Sequence, residues 1–365
     1  VESKKQQNYE VKASVKASSQ DIPLVPKPNN FDLLRLICAF SVFIFHVNSA
    51  TGELESINNL INLLSKSAVP MFFVISGFLI FMSYERAESI KEYFIKRGRR
   101  IYPAYLLVVV LCAFLGVLFS NLPLYQYFLN RDFLEYLFYN LIFLNFAQPS
   151  LPGVFSDNLK QLVNPSLWTI RIEVMFYVTV PVLVFLLRKY NRLIICIALY
   201  LLSATFYQIM LLLYRSSGDM MFYNFAVKFL IGQLSYFISG ALLYYHIDFF
   251  KKYAKWLLII ALPLYVISFF ANLYFFQPIS LAIIMFYIVF LTPYIGFFSK
   301  FGDLSYGIYI FHYPLIQIFY PSFKAYPYPT FLLVSVVLIL ISYACWHLVE
   351  KPFLSKKSHY RSQLG

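Results

Sequence analysis

Apolar runs separated by short polar breaks fill most of the chain, at about residues 33–50, 68–83, 101–120, 134–147, 167–188, 192–213, 223–245, 254–273, 277–297, 303–322 and 330–349. The fourth run, Leu134 to Ala147, is too short to cross a hydrocarbon core that takes about 20 helical residues. It is expected to be re-entrant or interfacial. The pattern predicts an all-α polytopic membrane bundle of about ten transmembrane helices within residues 33–354. Residues 1–32 are polar, rich in Lys, Ser and Gln, and lack the apolar core of a secretory signal. They read as a disordered cytoplasmic tail, and 355–365 as a second, basic one.

Charge sets the expected orientation, because Lys and Arg favour cytoplasmic loops within about 15–20 residues of a span. If 134–147 does not cross, 22 of the 30 Lys and Arg fall on one side, in both tails and in the loops near 84–100, 188–192, 246–255 and 298–302. If it crosses, the 188–192 and 246–255 clusters move outside. Ten spans with both termini cytoplasmic, in an inner (plasma) membrane, follow. The net charge of +13 is then mostly a topology signal, and no nucleic-acid partner is needed to explain it.

Composition agrees. With 60% hydrophobic and 13% charged residues and a mean hydropathy of +0.66, a soluble fold would expose an apolar shell. Cys38, Cys112, Cys196 and Cys345 lie inside apolar runs without metal-like spacing, so neither a disulfide nor a metal is implied.

Chemistry is sought among ionisable residues inside the spans, since a charge there costs about 2.5–3.5 kcal/mol and faces a cavity or a partner. Arg35, His46, Arg171, Glu173, Lys228 and His312 qualify. Arg35 and His46 are separated by about three helical turns, so both project along one face, about 16 Å apart. Glu173, counted from the outer end of its span, falls at the depth of His46. A carboxylate beside an imidazole suits a general base. Snorkelling of Arg35, packing of His46, and a Glu173 pair with Arg171 or Lys228 are the competing structural explanations. Lys228 reads as an outer-boundary residue, and Glu350 as the partner of a loop cation.

These residues carry a family resemblance. The Arg35-x10-His46 run looks like the signature of the acyltransferase-3 family of membrane acyltransferases. The stretch from Val69 to Phe78 with Ser76-Gly77, the basic Lys96-Arg97-Gly98-Arg99-Arg100 before Tyr102-Pro103, and Trp168 to Tyr177 with Glu173 resemble the motifs that follow in that family. Gly302 to Pro314, containing Ser305, Tyr309 and His312, and Val349 to Phe353 look like its closing motifs. One departure is Thr169-Ile170-Arg171, where members commonly carry Ser-Leu and a small polar residue. A second is that the chain stops soon after the last motif, so the membrane domain is expected to deliver the acyl group without an appended esterase-like domain.

The resemblance implies O-acyl transfer, usually of acetyl from acetyl-CoA, to a hydroxyl of a cell-envelope glycan such as O-antigen lipopolysaccharide, capsule or exopolysaccharide. His46, Glu173 and Arg35 are the expected catalytic group, with Glu173 orienting the His46 ring. Arg35, Arg97, Arg99 and Arg100 are the expected coenzyme A site, since guanidinium groups bind phosphate oxygens in pairs. Ser76, Trp168, Arg171, Tyr309 and His312 are the expected acceptor-side or cavity-lining residues. Membrane lipid, acyl-CoA and a hydroxylated acceptor are the partners. The rival reading is a secondary transporter or exporter of an envelope precursor, although no inverted repeat is visible.

Overall fold

The structure, a computed structural model, describes residues 29–52, 59–296 and 298–355; nearly all of both expected tails lies outside these residues. The described chain is a helical bundle without a named strand. The first helices are α1 (Phe31–Thr51), α2 (Asn59–Glu85) and α3 (Ile90–Leu115), followed by the short α4 (Leu124–Phe128) and α5 (Arg131–Leu141). Next come α6 (Trp168–Lys189), α7 (Arg192–Ser217), α8 (Met220–Lys228), α9 (Leu230–Tyr245) and α10 (Ile247–Phe270). The last are α11 (Gln277–Leu291), α12 (Ser305–Ile318), α13 (Tyr320–Ala325), α14 (Pro327–Cys345) and α15 (Lys351–Phe353), with a π-helical turn at Trp346–Glu350 before α15.

Among the described residues, eight helical segments are long and apolar enough to cross a membrane. The runs expected at 277–297 and 303–322 form shorter helices of 15 and 14 residues, α11 and α12. Residues 305–317 of α12 are all buried, so this helix is wrapped by protein and need not match the full bilayer thickness.

The short fourth run is re-entrant. Phe133, near the start of α5, packs 5.8 Å from Phe114, while Asn140, near its end, accepts a hydrogen bond from the Tyr105 hydroxyl at 2.8 Å. Helix α5 therefore runs back down α3. The chain turns at Phe143, whose φ is 64°, and returns to the starting level, where the Ser120 hydroxyl donates to the Pro152 carbonyl at 2.7 Å.

Because α5 does not cross, several basic breaks meet at one end of the bundle. Arg188 pairs with Glu85 at 2.5 Å, Tyr245 donates to Glu85 at 2.8 Å, and Arg192 lies 5.2 Å over the Tyr245 ring. We call this the basic end. Helix α3 starts there on a side-chain cap: Ser89 accepts from the Glu92 amide at 3.1 Å, and Glu92 accepts from the amide of Glu88, just before the cap, at 2.7 Å. Close packing in the centre depends on glycine. A Cβ on Gly77 would meet the Phe237 carbonyl, so α2 and α9 touch backbone to backbone.

Candidate active site

A cavity with about 770 Å³ of space free of protein atoms, part of it open to the outside, lies between α1, α2, α3, α6 and α12. Its basic side is built from Arg35, Arg97 and Arg100. Deeper in, its wall is formed by Ser76 and Phe72 of α2, Glu173 and Thr169 of α6, and Tyr309 of α12.

The cations are held by a buried ion-pair network. Arg35 pairs with Asp303 at 2.6 Å, and Arg100 pairs with both Asp303 and, at 2.6 Å, Glu350. Arg100 also lies 5.6 Å over the Tyr306 ring and 5.8 Å over that of Trp346. Three separate parts of the chain reach the network because of local geometry. Gly302, with φ 89°, packs against the Trp346 indole, where a side chain would clash, and this turn presents Asp303. Burial pushes the Asp303 carboxyl up, but Arg35 and Arg100, helped by a hydrogen bond from Ser305, hold it below the usual carboxylate range. Glu350 does pair with a cation of the 84–100 loop, as its position at a span end suggested. Asp303 was not singled out. An acid two residues before a helix serine reads as an ordinary cap, and its role depends on two distant arginines.

Arg97 differs from its neighbours. It makes no ion pair among the described residues, lies 5.7 Å over the Tyr177 ring, and has a buried Nε without a partner. Arg99 is exposed and does not line the cavity, because it points to the other side of α3. The four expected phosphate-binding arginines are therefore not equivalent.

Glu173 and His46 are not brought together. Glu173 accepts a hydrogen bond from Tyr177 at 2.6 Å, one turn along α6. His46, half-buried, stacks on His312 with ring centroids 5.1 Å apart and an interplanar angle of 24°, and meets Tyr313 edge-on. The reason lies in the start of α6. Asn164 donates to the Ile310 carbonyl at 2.8 Å and the Thr169 and Tyr309 hydroxyls are 2.6 Å apart, so α6 begins well below the outer end of α12. Glu173 is four residues further inward than Thr169, whereas His312 is three residues further outward than Tyr309. Glu173 and His46 are thus separated by about 10 Å along the bundle axis. The expectation that Glu173 orients the His46 ring is corrected accordingly.

His312 is fully buried, with Nδ1 3.2 Å from the Ile308 carbonyl. A carbonyl only accepts, so Nδ1 is the donor in that contact, and Nε2 has no hydrogen-bond partner among the described residues. Neither histidine lines the cavity, but Tyr309 connects the two regions, since its ring lines the cavity and lies 5.7 Å from that of His312. Ser76 and Tyr309 line the cavity. Trp168 instead packs near Phe73, at 6.5 Å, outside the lining. Arg171 turns away from the cavity and donates to the Lys228 carbonyl at 3.0 Å. The sequence spacing carried that information: residues two apart on a helix point about 200° apart, so Arg171 and Glu173 cannot share a face.

Residues 29–347 match the acyltransferase-3 family model, described as an acyltransferase domain. An "O-acetyl transferase" of Shigella phage Sf6 is 25% identical over 339 residues, covering 91% of this chain and 98% of the phage protein. "Nodulation protein 10" of Rhizobium leguminosarum bv. viciae is 31% identical over 175 residues, 45% of this chain and 46% of its own. "O-acetyltransferase OatA" of Staphylococcus aureus (strain NCTC 8325 / PS 47) is 25% identical over 367 residues, 89% of this chain and 57% of its own length. No solved structure matches the chain. With a matched region that spans most of the chain and contains the cavity, the histidine pair and, of the ion-pair network, Arg35, Arg100 and Asp303, the protein belongs to the acyltransferase-3 family and is a multi-pass membrane O-acetyltransferase.

Proposed function

We propose that the protein takes acetyl from acetyl-CoA at its basic end and transfers it to a hydroxyl of a cell-envelope glycan at the opposite end, with the basic end and both termini in the cytoplasm. The observation that carries this reading is the cavity itself, which runs from Arg97 to Tyr309 and stops beside the His46–His312 pair. The 22 cations of the basic side favour a cytoplasmic setting in the inner membrane. The names of the phage and staphylococcal relatives support acetyl as the group moved.

In this reading Arg97, which makes no ion pair among the described residues, meets the phosphates of the nucleotide at the cavity mouth. Arg35 and Arg100, fixed by Asp303 and Glu350, keep the mouth open and polar. The thioester arm extends past Glu173 to Tyr309. His46 takes the proton of the acceptor hydroxyl as its oxygen bonds to the thioester carbon; the C–S bond breaks, and the coenzyme A thiolate leaves and is protonated. Hydroxyls of Thr169 and Tyr309 are the donors closest to the blind end, placed to stabilise the oxyanion.

The test is transfer of radiolabelled acetyl from acetyl-CoA by the purified protein in proteoliposomes supplied with de-O-acetylated envelope glycan. Alkali-labile label in the glycan is expected. Binding of acetyl-CoA with no label in any glycan fraction would reject the acceptor class, and no binding at all would reject the donor.

A further inference from the structure

Outside the cavity, on the opposite face of α6, two cations stand together without an acid. The Arg171 guanidinium donates to the Lys228 carbonyl at 3.0 Å and lies 4.6 Å over the Phe146 ring. No carboxylate is within ion-pair distance of either residue among the described residues. The contrast with Arg35 and Arg100 is direct, because those cations are fully matched by carboxylates.

Two orphaned donors add to the imbalance. Arg171 Nε is buried with no partner, and so is Nδ2 of Asn145, which is only 6% exposed and precedes Phe146 in the chain. Buried donors are almost always satisfied, by protein, water or ligand. Here positive charge and the unused Arg171 donor stand at the tip of the re-entrant segment, over the ring next in the chain to Asn145, and an oxyanion would satisfy them.

Depth narrows the choice of anion. Arg171 is seventeen residues along α6 from Arg188 at the basic end, or about 26 Å. Lys228 is eighteen residues from His246, a similar distance of about 27 Å even though the helix breaks after it. Both cations therefore lie in the outer part of a core about 30 Å thick, where long basic side chains can snorkel toward the lipid phosphates beyond its far edge. Lys228 and Phe229 are exposed on the outside of the bundle, so the site opens sideways to lipid.

We propose that Arg171 and Lys228, with Asn145 beside them, bind the phosphate of the lipid that carries the acceptor, holding that lipid at the flank of α6 while its glycan reaches over the low start of the helix toward His46. This rests on the glycan-acetylation reading and adds to it that the acceptor is a phosphate-linked lipid. A fork of guanidinium donors beside an ammonium suits a phosphate better than a neutral sugar.

The experiment is native mass spectrometry of the full-length protein in detergent with three probes: a polyprenyl phosphate, the matching polyprenol, and phosphatidylglycerol. The wild type should retain the polyprenyl phosphate over the polyprenol. The Arg171→Ala/Lys228→Ala double variant should lose about tenfold or more of that retention, in line with the loss of charge-assisted hydrogen bonds. Its thermal melting, measured in parallel, should stay near that of the wild type, and Arg171→Lys should recover part of the binding. Equal retention of polyprenyl phosphate by the wild type and the double variant would overturn the proposal. Equal loss of phosphatidylglycerol would also overturn it, by making the site a general headgroup contact. Acetyl-CoA binding, read separately, fails only if the donor reading is wrong.

Discussion

At the basic end of the cavity, Arg35 and Arg100 are locked to Asp303 and Glu350. Beyond its far end, by contrast, Nε2 of His312 in the His46–His312 stack has no partner among the described residues, and outside the cavity Arg171 and Lys228 have, among the same residues, no acid within ion-pair distance. Both arrangements keep polar groups in a low-dielectric setting, but they do so differently. Pairing fixes side chains in place and quenches their charge. Lone groups stay reactive or receptive, and a buried one calls for a partner that protein, water or a ligand can supply. The basic end is accordingly a frame in whose cavity wall Arg97 makes no ion pair among the described residues, and the far end holds the groups proposed for chemistry and acceptor binding.

That contrast breaks most sharply at His46. His46→Ala should lower acetyl transfer by about 10²–10⁴-fold through loss of a general base, while the melting temperature changes little, as initial rates and melting curves on matched protein will show. A variant that melts early and transfers acetyl normally would assign His46 to packing. Arg100→Ala should do the reverse. It leaves two buried carboxylates without their shared cation, at a stability cost of about 3–5 kcal/mol, visible as a collapse in melting temperature or yield before any assay is run.

Smaller effects sharpen the division. Arg97→Ala should raise the acetyl-CoA KM by about tenfold, given the typical worth of a charge-assisted hydrogen bond, with kcat nearly unchanged. Arg99→Ala, on the exposed side of α3, should leave KM alone. Equal effects of the two would make the whole loop a diffuse electrostatic surface. Smallest in stability is Tyr309→Phe, which removes one of the two partners of the Thr169 hydroxyl, the Ser166 carbonyl remaining, at about 1 kcal/mol; its larger signature should be a fall in kcat, because Tyr309 lies between the cavity and the histidines.

Much of this was written in the sequence. Apolar run length and the placement of Lys and Arg gave the bundle, the non-crossing 134–147 segment and the gathering of basic breaks at one end. Arg35, Ser76, Glu173 and Tyr309 do line one cavity. What could not be read was depth: the start of α6 sits low because Asn164 and Thr169 bind α12, a tertiary contact with no periodic signal. Asp303 escaped for a related reason, since its partners are on helices far away in the chain. The direction of Arg171 was legible from the helical angle alone.

The most direct measurement uses oriented proteoliposomes, with the exposed Gly98 replaced by cysteine so that impermeant labelling reports which face carries the basic loop. Radiolabelled acetyl-CoA is supplied to one face at a time, with glycan acceptor on the other. Labelled glycan should form only when acetyl-CoA is on the Gly98 face, and His46→Ala should abolish it while acetyl-CoA still binds. Equal transfer with acetyl-CoA on either face, or full transfer by His46→Ala, would contradict a donor path from the Arg97 mouth to the histidine pair.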